Sequence, residues 1–160
     1  VAKSLKLKNT KYVNPHGLAA KANRSTVADL GKLASYLLTF EVASRIVNQE
    51  SYSCEVINGD SSRVVRWENT NLLLNDSRVY GIKTGNTYTA GPCLCSAFEM
   101  KSHRIIVTVL NSKSLNRRWS EVIRLAEWAL SQIEAVSLIM TKDQIKSHKL
   151  SSLVRGTHIT

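Results

Sequence analysis

Three short apolar runs separated by tight turns constrain the fold of this chain more than any other feature. They cover Val79–Lys83, Cys93–Met100 and Arg104–Leu110. Small residues ending at Gly91 separate the first two runs, and Lys101-Ser102-His103 separates the last two. Short runs rich in β-branched and aromatic residues, bounded by turn residues, are typical of β-strands. The pattern predicts an antiparallel meander of three strands.

Helical periodicity is found on both sides of this meander. Ser25 or Thr26 is in a position to cap a helix, with Asp29 completing a capping-box pattern, and Glu41 to Val47 continues as a short helix. Asn116 to Ile133 forms a second amphipathic stretch, whose predicted buried stripe is Trp119, Val122, Ile123, Ala126, Ala129, Leu130 and Ile133. We therefore predict an α/β (α+β) fold, an antiparallel sheet with flanking helices.

A β-hairpin is predicted between the first helices and the meander. Ser51–Ile57 and Arg63–Glu68 flank Asn58-Gly59-Asp60, and a turn containing Asn-Gly between two strand-like runs is a strong hairpin signal. Trp67 lies on the second of these runs. We expect Trp67 to be a packing residue rather than a ligand-binding one.

Composition excludes several classes of protein and site. With 160 residues, 43% hydrophobic residues and two prolines, the chain has the size and character of one ordered domain. It has no apolar run of membrane-spanning length, and Val1–Lys6 lacks the apolar core of a secretory signal. Three cysteines do not form a disulfide framework, and the histidines are scattered, at His16, His103, His148 and His158. We expect neither a metal site nor a cofactor.

The formal net charge of +10 leaves two interpretations open. Basic residues crowd both ends of the chain, at Lys3, Lys6, Lys8, Lys11, Lys142, Lys146, Lys149 and Arg155. This charge either forms a solvated surface or binds nucleic acid, anionic lipid or an acidic subunit. No interleaved aromatic residues and no recognisable nucleic-acid-binding motif accompany it.

A Lys-Thr-Gly motif, Lys83-Thr84-Gly85, ends the first predicted strand, and three further motifs precede it in a fixed order. They are Tyr12-Val13-Asn14-Pro15-His16-Gly17-Leu18, Ser25-Thr26-Val27-Ala28-Asp29-Leu30 and Asn69-Thr70-Asn71-Leu72-Leu73. In this combination the chain resembles the serine D-alanyl-D-alanine carboxypeptidases, the low-molecular-mass penicillin-binding proteins that trim peptidoglycan stem peptides. The resemblance runs from the first residues to the helix near Ile133. It implies that residues 1–140 are the C-terminal part of a DD-peptidase-like domain, with an incomplete β-lactamase/transpeptidase-like fold, and that residues 141–160 are a basic peripheral tail.

The resemblance also implies a role for each residue around this motif. Lys83 would present its ammonium group to the terminal carboxylate of the substrate and to the proton network of the site, and Thr84 would offer its hydroxyl to that carboxylate. Gly85 would let the substrate backbone approach the strand. The N–H of Asn86, where family members often carry an aromatic residue or histidine, would form half of an oxyanion hole. Pro92 is a second departure from the family pattern, tolerable at the start of a strand.

The family's nucleophile motif does not occur in these 160 residues. In such enzymes a serine attacks the peptide carbonyl and a lysine three positions later takes its proton, but no Ser-x-x-Lys spacing is found here. Ser114-Leu115-Asn116 has the spacing of the family's Ser-x-Asn motif, yet it follows Lys-Thr-Gly and starts a helix, so we interpret it as an N-cap. We therefore expect no catalytic residue in this chain.

Three hypotheses for function follow. The first is a non-catalytic module of this family that acts as an interaction or structural subunit. The second is the C-terminal half of an active serine-type D-Ala-D-Ala carboxypeptidase, completed by an N-terminal half that carries Ser-x-x-Lys. The third is a basic subunit that contacts nucleic acid in a larger particle, which rests on charge alone. In the first two, a protein partner or the missing N-terminal half would cover an exposed edge or face of the sheet.

Overall fold

The computed structural model describes residues 1–139, which form two antiparallel sheets and three α-helices. In chain order the elements are α1 (Val27–Leu37), α2 (Glu41–Val47), β1 (Ser51–Asn58), β2 (Ser61–Glu68), a 3-10 turn (Leu72–Asn75), β3 (Val79–Thr87), β4 (Gly91–Met100), β5 (His103–Val109) and α3 (Arg117–Ile139). The α/β fold predicted from the sequence is confirmed. The tail predicted for residues 141–160 lies outside the described residues.

The predicted meander is present as an antiparallel sheet with the strand order β3-β4-β5. Its first strand is longer than predicted, because β3 does not end at Lys83 but continues to Thr87. The extension pairs residue by residue with the start of β4, from Thr84 opposite Leu94 to Thr87 opposite Gly91. Cross-strand pairing therefore overrides the weak strand propensity of Gly85 and Asn86. The Lys-Thr-Gly motif lies within a strand, not at its end.

One face of this sheet packs against α3. The predicted stripe of α3 is confirmed, since Val122, Ala126 and Leu130 are buried in the core and the other four predicted residues pack against it. From the sheet, the core receives mainly Leu94 and Phe98 of β4, with further residues of β5. The helix runs beyond the predicted end at Ile133, to Ile139.

The opposite face packs against α1, through a smaller cluster built on Ala34 of α1, Ile82 of β3 and Ala97 of β4. The sheet is therefore covered on both faces by helices of this chain. Its two outer edges, on β3 and on β5, have no strand partner within residues 1–139. An edge without a strand partner is one of the two alternatives expected from the sequence, and the other, an uncovered face, is not present within these residues.

The N-terminal loop is held to α1 by a buried carboxylate. Thr26 caps α1 as predicted, since its Oγ1 accepts a hydrogen bond from the N–H of Asp29 at 3.2 Å. The Asp29 side chain does not close the predicted capping box. Its Oδ2 accepts instead from the N–H of Asn9 at 2.9 Å and from the hydroxyl of Thr10 at 2.8 Å. The same carboxylate thus fixes the preceding loop rather than only the helix end.

The predicted hairpin is formed by β1 and β2, which pair from Ser51 opposite Glu68 to Asn58 opposite Ser61. Trp67 packs on its cross-strand partner Tyr52, with ring centroids 6.3 Å apart and 22° between the ring planes. Both rings remain about half exposed, at 51% for Trp67 and 56% for Tyr52. The hairpin therefore carries an aromatic pair at the surface rather than in the core.

Candidate functional site at the outer edge of β3

The Lys-Thr-Gly motif alternates between solvent and interior along β3. Lys83 and Gly85 are exposed and Thr84 between them is buried, as expected for the two-residue period of a strand. The Lys83 ammonium donates a 2.6 Å hydrogen bond to the carbonyl oxygen of Thr84. It forms no ion pair with an acidic residue of the described chain. Its positive charge is thus available at the strand edge.

The backbone of β3 directs hydrogen-bonding groups outward at Thr84 and Asn86. Pro92 lies opposite Asn86, and its carbonyl accepts a 2.9 Å hydrogen bond from the N–H of Ser112, so it points away from β3. In an antiparallel pair of strands, the backbone N–H and C=O groups of two opposite residues are directed either towards each other or away from each other. The two kinds of pair alternate along the strand. The N–H and C=O of Asn86, and by alternation those of Thr84, therefore face the outer edge. An extended ligand could pair with them.

The segment before β3 fixes the position of the motif from behind. The hydroxyl oxygens of Thr70 and Thr84 lie 2.6 Å apart in a hydrogen bond. The buried side chain of Asn71 donates from Nδ2 to the carbonyl oxygen of Gly81 at 2.9 Å, and its Oδ1 accepts from the N–H of Leu73. Thr70 and Asn71 belong to the Asn69-Thr70-Asn71 motif, but the sequence assigned no role to either residue.

The fold requires glycine at position 81 of β3 but not at position 85. Gly81 has φ of +127°, and a Cβ at this position would lie 2.9 Å from Cγ2 of Val47, so the fold itself requires glycine. At Gly85, a Cβ would meet only the Cβ of Cys93, at an ordinary 3.8 Å. Nothing in the described chain requires glycine at position 85. A ligand that approaches the exposed strand closely would require it.

Arg118 is a site residue that the sequence analysis missed. It lies in the first turn of α3 and is 9% exposed, and its Nη1 donates to the carbonyl oxygens of Gly85 and Cys93 at 3.3 and 3.4 Å. Its Nε is buried without a hydrogen-bond partner, and its Cζ lies over the ring of Trp119, 4.2 Å from the ring centroid. No acidic residue of the described chain pairs with it. A second unneutralised cation thus lies beside the Lys-Thr-Gly strand.

The hydroxyl groups of Ser25, Ser96 and Ser114 each take part in a hydrogen bond within the fold. The Ser25 hydroxyl bonds Thr10, the buried Ser96 hydroxyl donates to the carbonyl oxygen of Gly81 at 2.7 Å, and Ser114 accepts from the N–H of Arg117 as the predicted N-cap. Within residues 1–139, no serine hydroxyl is hydrogen-bonded to a lysine amine. Burial raises the pKa of the Cys95 thiol, which disfavours the reactive thiolate.

Residues 1–139 contain neither a cluster of metal-ligand residues nor a helix that could span a membrane. In this part of the chain no group of three or more His, Cys, Asp or Glu side chains is arranged to hold a metal ion. None of its helices combines the length and the apolar character needed to cross a membrane.

Comparison with known proteins identifies the family. A family model described as D-alanyl-D-alanine carboxypeptidase matches residues 1–114. The chain belongs to the D-alanyl-D-alanine carboxypeptidase family. Lys83, Thr84, Gly85 and Asn86 all lie within the matched residues, while Arg118 lies just beyond them. The resemblance drawn from the motifs is thereby confirmed, whereas the individual roles of these residues stay predictions.

The relatives are about twice as long as this chain, or longer. The D-alanyl-D-alanine carboxypeptidase DacF of Bacillus subtilis is 29% identical over 151 residues, which make up 93% of this chain and 38% of that protein. A D-alanyl-D-alanine carboxypeptidase of Streptomyces sp. K15 is 30% identical, over 81% of this chain and 46% of the relative. The crystal structure named Streptomyces K15 DD-transpeptidase superposes with a TM-score of 0.78 and 32% identity, covering 81% of this chain and 51% of that one. The chain thus spans about half, or less, of these members of the family.

Proposed function

We propose that this chain forms the substrate-binding half of a serine-type D-Ala-D-Ala carboxypeptidase site that acts on peptidoglycan stem peptides. The observation that carries the proposal is the outer edge of β3. It combines outward-facing backbone groups at Thr84 and Asn86, a glycine at position 85 that the chain itself does not require, and the unneutralised charge of Lys83. The guanidinium of Arg118, bonded to the carbonyl oxygen of Gly85, adds positive charge beside this strand. An extended peptide that ends in a carboxylate matches this set of groups in shape and in charge.

The Thr70–Thr84 hydrogen bond suggests how Thr84 would take part. Either hydroxyl can be the donor in this 2.6 Å bond. If Thr70 donates, the proton of the Thr84 hydroxyl is free for the terminal carboxylate of the peptide, and the two bonds polarise each other. The Lys83 ammonium would then move from the Thr84 carbonyl towards the same carboxylate, because a charge-assisted bond is the stronger one.

Catalysis would require a nucleophile from outside these 160 residues. In the proposed complete site, an N-terminal half would supply Ser-x-x-Lys. Its serine would attack the peptide carbonyl, and its lysine would take the serine proton. The N–H of Asn86 would stabilise the developing oxyanion, since it faces the edge where that carbonyl would lie.

A second candidate function is a non-catalytic module of the same family. Two observations favour this function. No Ser-x-x-Lys spacing occurs in these 160 residues, and the hydroxyl groups of Ser25, Ser96 and Ser114 are hydrogen-bonded within the fold. In this case the edge of β3 would bind a stem peptide or a protein strand without cleaving it. The nucleic-acid hypothesis continues to rest on the net charge of +10 alone.

Binding at the edge of β3 can be tested by NMR on the ¹⁵N-labelled chain. We expect a stem peptide that ends in D-Ala-D-Ala to shift the amide signals of residues 83–86, and the same peptide with an amidated C-terminus to shift them much less. Lys83→Ala should weaken binding by about tenfold, which corresponds to about 1.4 kcal/mol. Lys32→Ala, at an exposed lysine on α1, is the matched control and should bind like the wild type. Shifts confined to other surfaces, or equal binding by Lys83→Ala and Lys32→Ala, would refute the proposal.

A further inference from the structure

A groove of about 670 Å³ lies between α2 and the base of the β1–β2 hairpin, away from Lys83. Tyr52 and Trp67 form one wall of it, Val42 and Ile46 of α2 contribute apolar surface, and the remaining lining residues are polar. From this combination we infer that the groove binds the sugar ring of a glycan.

The aromatic wall provides the first argument. Tyr52 and Trp67 are cross-strand partners whose ring centroids lie 6.3 Å apart and which remain about half exposed, so both contribute apolar surface to the groove. Leaving two large rings half in water forgoes part of the free energy that burial of their apolar surface would provide. One face of a pyranose ring carries mainly C–H groups and has the dimensions of an aromatic ring. Stacking on Tyr52 and Trp67 would cover both surfaces.

The polar rim provides the second argument. Arg45 of α2 and Gln49, which follows the end of α2, both line the groove, and neither side chain forms a hydrogen bond or ion pair within the described residues. Oε1 of Glu68 accepts a 2.6 Å hydrogen bond from Nε of Arg66, whereas Oε2 of Glu68 has no hydrogen-bond partner in the described chain. A guanidinium, an amide and a carboxylate together can both donate to and accept from ring hydroxyl and acetamido groups.

These two features together favour a saccharide over other occupants. A purely apolar segment would cover the rings but leave the side chains of Arg45, Gln49 and Glu68 without partners, which is unfavourable once water is excluded. A polyanion would be attracted by Arg45 and repelled by Glu68. A neutral sugar ring would pack its apolar face on the aromatic wall and form hydrogen bonds through its hydroxyl groups with the polar residues of the groove.

The groove is connected to the candidate site through one short segment. Asn69 lines the groove, and its Nδ2 donates to the carbonyl oxygen of Gln49 at 2.9 Å. The next residue, Thr70, is hydrogen-bonded to Thr84. The groove and the Lys-Thr-Gly strand are thus joined through two consecutive residues, and the glycan and the stem peptide would be parts of one peptidoglycan fragment. This last step rests on the proposed function, whereas sugar binding itself does not.

The inference is tested with a tetramer of N-acetylglucosamine titrated into the 160-residue chain. We expect the indole N–H signal of Trp67 to shift, and Trp67→Ala to weaken binding by about tenfold. Trp128→Ala is the matched control, because Trp128 lies on α3 and is 52% exposed, almost the same as Trp67. Trp67→Phe keeps a stacking ring and should restore most of the affinity. Because Trp67 is outside both buried clusters, its replacement leaves the core intact, which unfolding curves would verify.

The contradicting results are equally specific. Equal affinities of Trp67→Ala and Trp128→Ala, or no shift of the Trp67 signal at millimolar sugar, would overturn the inference. So would a stem peptide without sugar that shifts the Trp67 signal as strongly, since the groove would then be a peptide site. Lys83→Ala separates this inference from the proposed function, because it should weaken peptide binding and leave binding of the sugar tetramer unchanged. Sugar binding that survives while the peptide fails to bind β3 would refute the proposed function alone.

Discussion

The hydroxyl groups of Thr70 and Thr84, 14 positions apart in the chain, share a 2.6 Å hydrogen bond behind the Lys-Thr-Gly strand. This bond connects the segment that borders the aromatic groove to the strand that carries Lys83. Thr84 is only 9% exposed, so its side chain has little contact with bulk water. The orientation of the motif therefore depends on a residue outside it.

Thr70→Val should make this dependence measurable. Valine preserves the shape of the side chain but leaves the buried Thr84 hydroxyl unpaired, which typically costs about 1–3 kcal/mol. We expect a decrease of about 1 kcal/mol in the free energy of unfolding in urea, because Thr70 itself is exposed, and weaker binding of a D-Ala-D-Ala peptide. Thr70→Ser retains the hydroxyl and should restore most of both properties. Wild-type stability and binding in Thr70→Val would show that the bond does not position Thr84.

Gly81→Ala should destabilise the protein, whereas Gly31→Ala should not. The Cβ added at Gly81 would lie 2.9 Å from Val47 Cγ2, and φ at this position has a value that L-residues rarely adopt. The carbonyl oxygen of Gly81 also accepts hydrogen bonds from the side chains of Asn71 and Ser96. We expect a loss of more than about 1 kcal/mol in the free energy of unfolding. Gly31 lies in α1 with nothing within 4 Å of the added Cβ, so alanine there should gain about 0.5–1 kcal/mol. Equal stabilities of the two variants in urea would contradict this account.

Acid should remove the stability contributed by Asp76. The hydrogen bond and charge of Arg78 hold the pKa of Asp76 below its usual value, and the same pair raises the pKa of Arg78. A lowered folded-state pKa gives stability that is present above the unfolded-state pKa and is lost as the pH falls through the folded-state value. Asp76→Asn should therefore be less stable than wild type at neutral pH, by less than about 1 kcal/mol because both side chains are partly exposed.

The difference between wild type and Asp76→Asn should disappear as the pH falls from about 4 through the lowered pKa of Asp76. Urea unfolding of both proteins at a series of pH values, from neutral to well below the usual pKa of an aspartate, measures it. A difference that stays constant with pH would mean that the Asp76 carboxylate contributes through packing rather than through its charge.

Local periodicity was sufficient to predict most of the fold. The buried stripe of α3, the bounds of α2 and the presence of the hairpin follow from residues close together in the chain. The length of β3 did not, because its last residues are held in the strand by pairing with β4. Asp29 was predicted to complete a capping box, but bonds to the loop of Asn9 and Thr10 determine its orientation.

Part of the candidate site could be predicted as well. Lys83–Asn86 were found because the motif is contiguous, while Arg118 is 33 positions from Gly85 and no local pattern connects the two. One signal was present. Arg117 and Arg118 occupy the first turn of α3, where the helix dipole disfavours positive charge. Such a placement indicates that another interaction holds the arginine there.

Covalent labelling with a fluorescent penicillin tests the central claim most directly, that this chain supplies the substrate-binding strand of a DD-peptidase site and not its nucleophile. We predict no covalent label on the 160-residue chain after denaturation. We predict stoichiometric label when the chain is joined behind the N-terminal half of a family relative that carries Ser-x-x-Lys, and loss of that label with Lys83→Ala but not with Lys32→Ala. Label on the isolated chain, mapped by mass spectrometry to a serine such as Ser25, Ser96 or Ser114, would contradict the account.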